Sequence, residues 1–186
     1  MINKKLQIIE LIADKHIEKI NEALKDLNKT FPLTEQALLN MSKQQVLEME
    51  MLTSRFAKLQ DHLGANAFDL FFEIKGEDVS RMAIIDKLNL LEKIYIIDDP
   101  HIWIDMRATR NIIVNEYPDN PGLIASTLNL VPSFVTLLID IKNKLFASMR
   151  SYFFRPMTIT CCKYFIFSGL QSTSCTGCLG NCCCIS

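Results

Sequence analysis

Apolar residues in the first 150 positions recur at helical intervals, and no stretch alternates apolar with polar long enough to make a strand. Leu6, Ile9, Ile12, Ile17, Ile20, Leu24 and Leu27 open the pattern, with Lys and Glu on the opposite face. A period of 3.6 residues returns such side chains to one stripe, which is the mark of an amphipathic helix. Stripes of this kind must be buried against one another. The pattern therefore predicts an all-α fold, an up-and-down antiparallel helical bundle in which short connections favour antiparallel neighbours.

Punctuation along the chain divides the pattern. Pro32 ends the first helix, and Thr34 can cap the next, with Glu35 in its first turn favouring the helix dipole. That second helix is expected to run without a break through Leu38, Leu39, Val46, Leu47, Met51, Phe56, Leu59 and Leu63. Gly64, in "GANAF", permits close packing or a kink. A third helix is expected at about 79–96, after the break Lys75-Gly76-Glu77-Asp78. "IDDPH" starts a fourth, with Asp99 as N-cap and Pro100 at the first helical position, and Pro118 stops it after Tyr117. "PDNPG" is a turn, and a fifth helix at about 122–147 is expected to kink at Pro132.

Composition changes abruptly near residue 150. The whole chain of 186 residues carries a formal charge of −1, which excludes a global electrostatic attraction to nucleic acid. From Ser151 onward there are two cations, Arg155 and Lys163, and no acid. Taking that +2 from the total leaves −3 on residues 1–150. All seven cysteines (161, 162, 175, 178, 182, 183 and 184) lie in the same tail. The first 150 residues hold none, as expected of a domain made in a reducing cytosol. The sequence thus divides into a helical domain, 1–150, and a Cys-rich tail, 151–186.

The tail offers tempting patterns. Cys175 and Cys178 have a C-x₂-C spacing, and the last four residues fit a prenylation pattern. A zinc site needs two spaced pairs, however, and the run Cys182 to Cys184 presents its thiolates poorly. The tail reads instead as foreign to the bundle, a frameshift or readthrough product or a disordered appendage. No cofactor is expected. Gln7, Glu10 and Asp14 interrupt any signal-like apolar run. Ser151 to Leu170 carries Arg155, Pro156 and Lys163, too much for an ordinary spanning helix. A cytoplasmic protein with no membrane partner is the expectation.

Candidate chemistry gathers on the fourth helix. Trp103, Arg107, Arg110, Val114 and Tyr117 follow a three-or-four spacing and share one face, and Asn111 and Asn115 sit four apart beside it. Arg110 presents a planar fork of donors suited to phosphate, and the asparagines suit a ribose hydroxyl or a phosphate oxygen. By residue chemistry alone the same pattern also describes a solvated face over a packed Trp103 and Val114, and "EYPDNP" is also an ordinary turn.

"FAKLQDHLGANAF" (56–68), "IDKLNLLEKIYII" (85–97) and "MRATRNIIVNEYPDNP" (106–121) together resemble one family, over roughly residues 10–146. It is the HEPN superfamily, specifically the HepT-like proteins also described as nucleotidyltransferase substrate-binding proteins. Arg110 and Asn111 match the start of its signature and Tyr117 its end, but the family histidine falls on Asn115. The resemblance implies a homodimeric, metal-independent ribonuclease toxin acting on RNA. It also implies a small nucleotidyltransferase antitoxin as partner, which transfers AMP to the tyrosine corresponding to Tyr117.

Cleavage by the ribose 2′-OH needs a group that gives and takes a proton near neutrality, and an arginine to neutralise the developing phosphorane charge. Asparagine cannot exchange that proton. The only histidines are His16, His62 and His101, and His101 lies about 13 Å from Arg110 along the helix. The expected function is therefore the toxin-side component of such a pair, with its ribonuclease site impaired and Tyr117 as the modification site. An active ribonuclease using another proton carrier, or a non-catalytic dimeric interaction module, are the alternatives.

Overall fold

The computed structural model describes residues 2–115 and 120–153. Eight α-helices and one π-helical turn make up the regular structure of these residues, with no strand among them. The all-α expectation is met there.

Helix α1 (Ile2–Asp26) buries Leu6, Ile9, Ala13, Ile20 and Ala23, and Leu27 continues the seam just beyond it. Two alanines therefore replace part of the aliphatic stripe read from the sequence. Ile12 is 38% exposed, because the helical period places it to one side of Ala13. The small side chains let α3 (Lys43–His62) approach closely, and this pair makes the most extensive helix contact of the fold. Lys5 meets Glu73 at 2.6 Å, the Ile9 carbonyl meets His62 at 2.9 Å and Thr30 meets Gln45 at 3.4 Å. As one number rises the other falls, so α1 runs antiparallel to the stretch that contains α3.

The expected long second helix is broken. Thr34 caps a short α2 (Glu35–Leu39), accepting from the Ala37 N–H at 3.1 Å. A new start follows at Ser42, whose hydroxyl accepts from the Gln45 N–H while the Gln45 side chain accepts from the Ser42 N–H. This reciprocal capping box satisfies two amides that a continuing helix would have had to bond differently, and it wins over the apolar period. The π-helical turn Leu63–Ala67 then carries α3 into α4 (Phe68–Lys75). Gly76, at φ 78, closes α4 in the left-handed conformation that glycine adopts without steric cost.

Helix α5 (Ile84–Lys93) is shorter than expected. Asp78 turns the chain before it by accepting the Ser80 N–H at 3.0 Å. Tyr95 ends it at φ 61, with its N–H bonded to the Glu92 carbonyl and the Ile96 N–H to that of Leu91. Helix α6 (Pro100–Asn115) begins as the sequence indicates, with the Asp99 carboxylate accepting the His101 N–H at 2.8 Å.

The expected fifth helix is two helices, α7 (Pro121–Leu128) and α8 (Val131–Phe153), parted at Asn129 and Leu130. Pro132 falls in the first turn of α8, where its missing N–H needs no partner, so it starts a helix and kinks none. The cause of the break is long-range. Asn129 Nδ2 donates to the Leu33 carbonyl at 2.8 Å, and its Oδ1 accepts the Leu33 N–H at 2.7 Å.

The core lies where α1, α3, α4 and α8 meet, around Leu52, Phe56, Leu59, Phe68, Leu70, Phe71, Leu138, Leu145 and Phe146. Each such side chain stabilises the fold by about 1.5–3 kcal/mol on burial. Phe56 stacks near Phe134, with ring centroids 6.4 Å apart, and Lys75 lies over the Tyr152 ring, so α8 runs parallel to α3 and α4. Lys142 pairs with Asp14 at 2.6 Å and Arg150 pairs with Glu10, which sets α8 antiparallel to α1.

Among the described residues, the helical stretch Pro121–Tyr152 is long and apolar enough to cross a membrane by length and composition, with mean hydropathy 1.8. In this fold it contributes Val131, Val135, Leu138, Ile141, Leu145, Phe146 and Met149 to the core. The seven cysteines and the tail beyond Phe153 lie outside the described residues.

Candidate functional site

Helix α6 places its chemistry against α3. Trp103 is 4% exposed and points inward, its ring 4.8 Å from that of Phe68 between centroids. Gly64 makes this possible: a Cβ at that position would stand 3.2 Å from Trp103 Cζ2. The ring therefore fills the space left by the missing side chain, at the point where the π-helical turn passes α6.

One turn along α6 from Trp103, Arg107 is exposed, and Arg110 follows three residues later, half-buried. Arg110 Nη1 donates to Asp61 Oδ1 on α3. The Asp61 side chain is 67% exposed, so water screens the pair and its contribution to stability is about 0–1 kcal/mol. Its consequence is geometric, because the carboxylate fixes the direction of the guanidinium fork. Together with the Phe68–Trp103 contact, the pair sets α6 antiparallel to α3 and α4.

A cleft of about 340 Å³ opens between these elements, lined by Gln60, Asp61, Gly64, Ala65, Ile84, Trp103 and Arg107. Gln60 is buried, and its Nε2 donates to the Trp103 carbonyl at 3.1 Å. A carbonyl can only accept, so the amide cannot be turned the other way. Its Oε1 is left buried with no hydrogen-bond partner.

The histidines stand apart from this arrangement. His62 follows Asp61 in sequence but turns towards α1, with Nε2 2.9 Å from the Ile9 carbonyl and Nδ1 3.2 Å from the Asn66 amide nitrogen. Both ring nitrogens are thus engaged. His16 packs edge-on to it with centroids 6.3 Å apart. Burial pushes the His16 imidazole below its ordinary pKa, and Arg55, His62 and Lys58 push it further in the same direction. His101 is exposed in the first turn of α6. Among the described residues no group of three or more His, Cys, Asp or Glu is placed to hold a metal ion.

Of the residues expected at a site, the structure sets Arg107 in the lining of the cleft, pairs Arg110 with Asp61 and places Asn111 on the exposed side of α6. The helix backbone continues to Asn115, whose side chain lies outside the described residues, as does Tyr117. Two participants escaped the sequence reading, Asp61 and Gln60. Gln60 carried a readable signal. It sits four residues after Phe56 and seven before Ala67, a polar side chain at a core position of the helical period. Asp61 carried none, since one acid on a solvated helix face looks like any other.

Comparison with the models of known protein families, with curated proteins and with solved structures finds no match to this chain.

Proposed function

We propose that this chain is a HepT-like HEPN protein, the toxin-side component of a pair with a small nucleotidyltransferase antitoxin, in which the ribonuclease site is impaired. The observation that carries the reading is the convergence of the segments that resemble the family. Gly64 and Phe68, from the first segment, pack against Trp103. Ile96 and Ile97, from the second, line a small cavity with Ile102 and Trp103. The third begins three residues further along the same helix and supplies Arg107 and Arg110. The three stretches thus share one neighbourhood, the first reaching it from a separate helix.

In this reading Arg110 is the phosphate-binding remnant, aimed by Asp61. Asn111 is a polar helper, and Asn115 stands where proton transfer requires a histidine. With His62 engaged at both nitrogens, the described residues offer no substitute histidine beside Arg110. Tyr117 is the residue to which the partner transfers AMP. The protein acts in the cytoplasm as a homodimer. Exposed Ile8, Leu11 and Ile12 on one side of α1 offer an apolar stripe of the kind that protein partners cover.

Restoring the proton carrier tests the proposal. Asn115→His is expected to make the purified protein cleave RNA and slow growth on expression, while the natural chain does neither. Incubation of the natural chain with the nucleotidyltransferase and ATP is expected to add one adenylyl group at Tyr117, read by mass spectrometry. RNA cleavage by the natural chain that disappears in Arg110→Ala sinks the claim of impairment. A silent Asn115→His variant together with an unmodified Tyr117 sinks the family reading itself.

A further inference from the structure

Helices α1 and α3 carry a basic cluster that the HepT-like reading leaves unused. Arg55, Lys58 and His62 follow a three- and four-residue spacing and share one face of α3, from which Asp61, the partner of Arg110, is turned away. His16 meets this face from α1, its ring 6.3 Å from that of His62 between centroids. Burial first, and then the charges of Arg55, His62 and Lys58, hold the His16 pKa down. Arg55 is half-buried and Lys58 exposed, and neither forms a salt bridge with a described residue. The neighbouring carboxylates are committed elsewhere. Glu10 and Asp14 turn to α8, where Lys142 and Arg150 hold them, and Glu22 is held by Lys19 at 2.6 Å. Glu18, two residues from His16, falls on the opposite side of α1 by the helical period. Glu48 lies two turns back along α3 and accepts from Gln44 at 2.6 Å. Like charges three residues apart destabilise a helix, so Arg55 and Lys58 repel each other without relief. They do so in a domain whose formal charge over residues 1–150 is −3.

We propose that His16, Arg55 and Lys58 bind a phosphate dianion, either free or as the terminal monoester of a larger ligand. Arg55 offers a planar fork of donors and Lys58 a point charge one turn further along α3. His16 Nδ1 is sealed from water without a partner, which leaves Nε2 as the nitrogen that can donate to a ligand. His62, with both nitrogens engaged, holds the His16 ring edge-on and contributes no donor. Two unpaired cations balance two negative charges. A carboxylate or a phosphodiester, each with one charge, leaves a cation uncompensated. A cationic ligand is repelled, and an apolar one strips water from the two cations and returns nothing. Neither Arg110 nor Tyr117 takes part, so the site stands whether or not the HepT-like reading does.

Inorganic phosphate titrated into the full chain, at constant ionic strength and a pH where it is a dianion, should move the His16 ring signals saturably in NMR. Those signals are assigned by their loss in His16→Gln. The signals of His101, exposed on α6, should stay in place. Methyl phosphate distinguishes the two sources. Equal binding assigns the site to a phosphate monoester as well, and its failure assigns the site to the free ion. Dimethyl phosphate, with a single charge, should bind at least about tenfold more weakly, the lower end of what a hydrogen bond to a charged group is worth. Arg55→Gln and Lys58→Gln should each weaken phosphate by a similar factor. Lys93→Gln, which removes the same charge from the end of α5, should leave it unchanged. Lys58 is exposed, so its variant keeps the test open even where Arg55→Gln folds poorly. The proposal is overturned if phosphate moves His16 no more than His101, if dimethyl phosphate binds as well, or if Lys58→Gln binds phosphate unchanged.

Discussion

Replacing Asn129 by leucine should loosen the junction between the break separating α7 from α8 and the segment that leads into α2. The amide makes a two-point clamp on the backbone of Leu33, accepting its N–H at 2.7 Å and donating to its carbonyl at 2.8 Å, across 96 residues of sequence. Leucine is close in size but can do neither. The loss is two hydrogen bonds, each worth about 1 kcal/mol net. It also leaves the N–H and carbonyl of Leu33 unpaired, which costs about 1–3 kcal/mol per group where water cannot reach. Leu33 is 3% exposed, while the bonds themselves are only part-buried, so water recovers some of the second contribution. The expected destabilisation is about 2–3 kcal/mol. In urea, where slopes are about 1–3 kcal/mol per molar, the unfolding midpoint should fall by roughly 1–2 M with the slope unchanged. A shift within about 0.5 kcal/mol, typical of an ordinary surface substitution, refutes the clamp.

Tyr95→Gly should stabilise the protein. A side chain at φ 61 costs about 1–2 kcal/mol, and glycine's greater freedom in the unfolded chain returns about 0.5–1 of that. The ring is 83% exposed and loses little packing, so a melting temperature higher by about 2–4 °C is expected, and an unchanged or lower one contradicts the strain. His16 should make stability depend on pH. Its folded pKa is depressed by burial and then by Arg55, His62 and Lys58, so the unfolded chain binds the proton more readily. The stabilisation is fully present above the unfolded value of about 6.5 and is lost as pH falls through the folded value. His16→Gln should flatten the decline that sets in as pH falls below about 6.5. An equal decline in both proteins excludes His16 as its source.

Local signals were legible in the sequence, and signals fixed by distant partners were not. Thr34 and the Asp99-Pro100 start each act within a few residues, and each appears where the sequence placed it. Ser42 and Gln45 were equally local, yet the apolar period running across them concealed a capping box strong enough to break the helix. The division at Asn129 had no local cause to read, since Leu33 fixes it from the other end of the chain. The α1 seam shows a subtler limit. A list of large aliphatics picks Ile12, whereas the closeness of α3 selects Ala13, and that distance is a property of the helix pair.

The same distinction explains the site. Arg110 was recognisable from its neighbours along α6, because spacing on one helix is written in one helix. What Arg110 does depends on Asp61, 49 residues earlier and on another helix. A guanidinium already held by a carboxylate is directed, but it is also partly neutralised, so its attraction for phosphate is weaker than that of a free arginine. Arg107, unpaired among the described residues, is the stronger anion-binding group of the two, although the motif gives it no role. The residue that marks the site in the sequence is therefore not the one with the greatest unmet electrostatic demand in the fold. Experiments that substitute Arg110 alone test the proposed ribonuclease chemistry, whereas those that substitute Arg107 test what the cleft can bind.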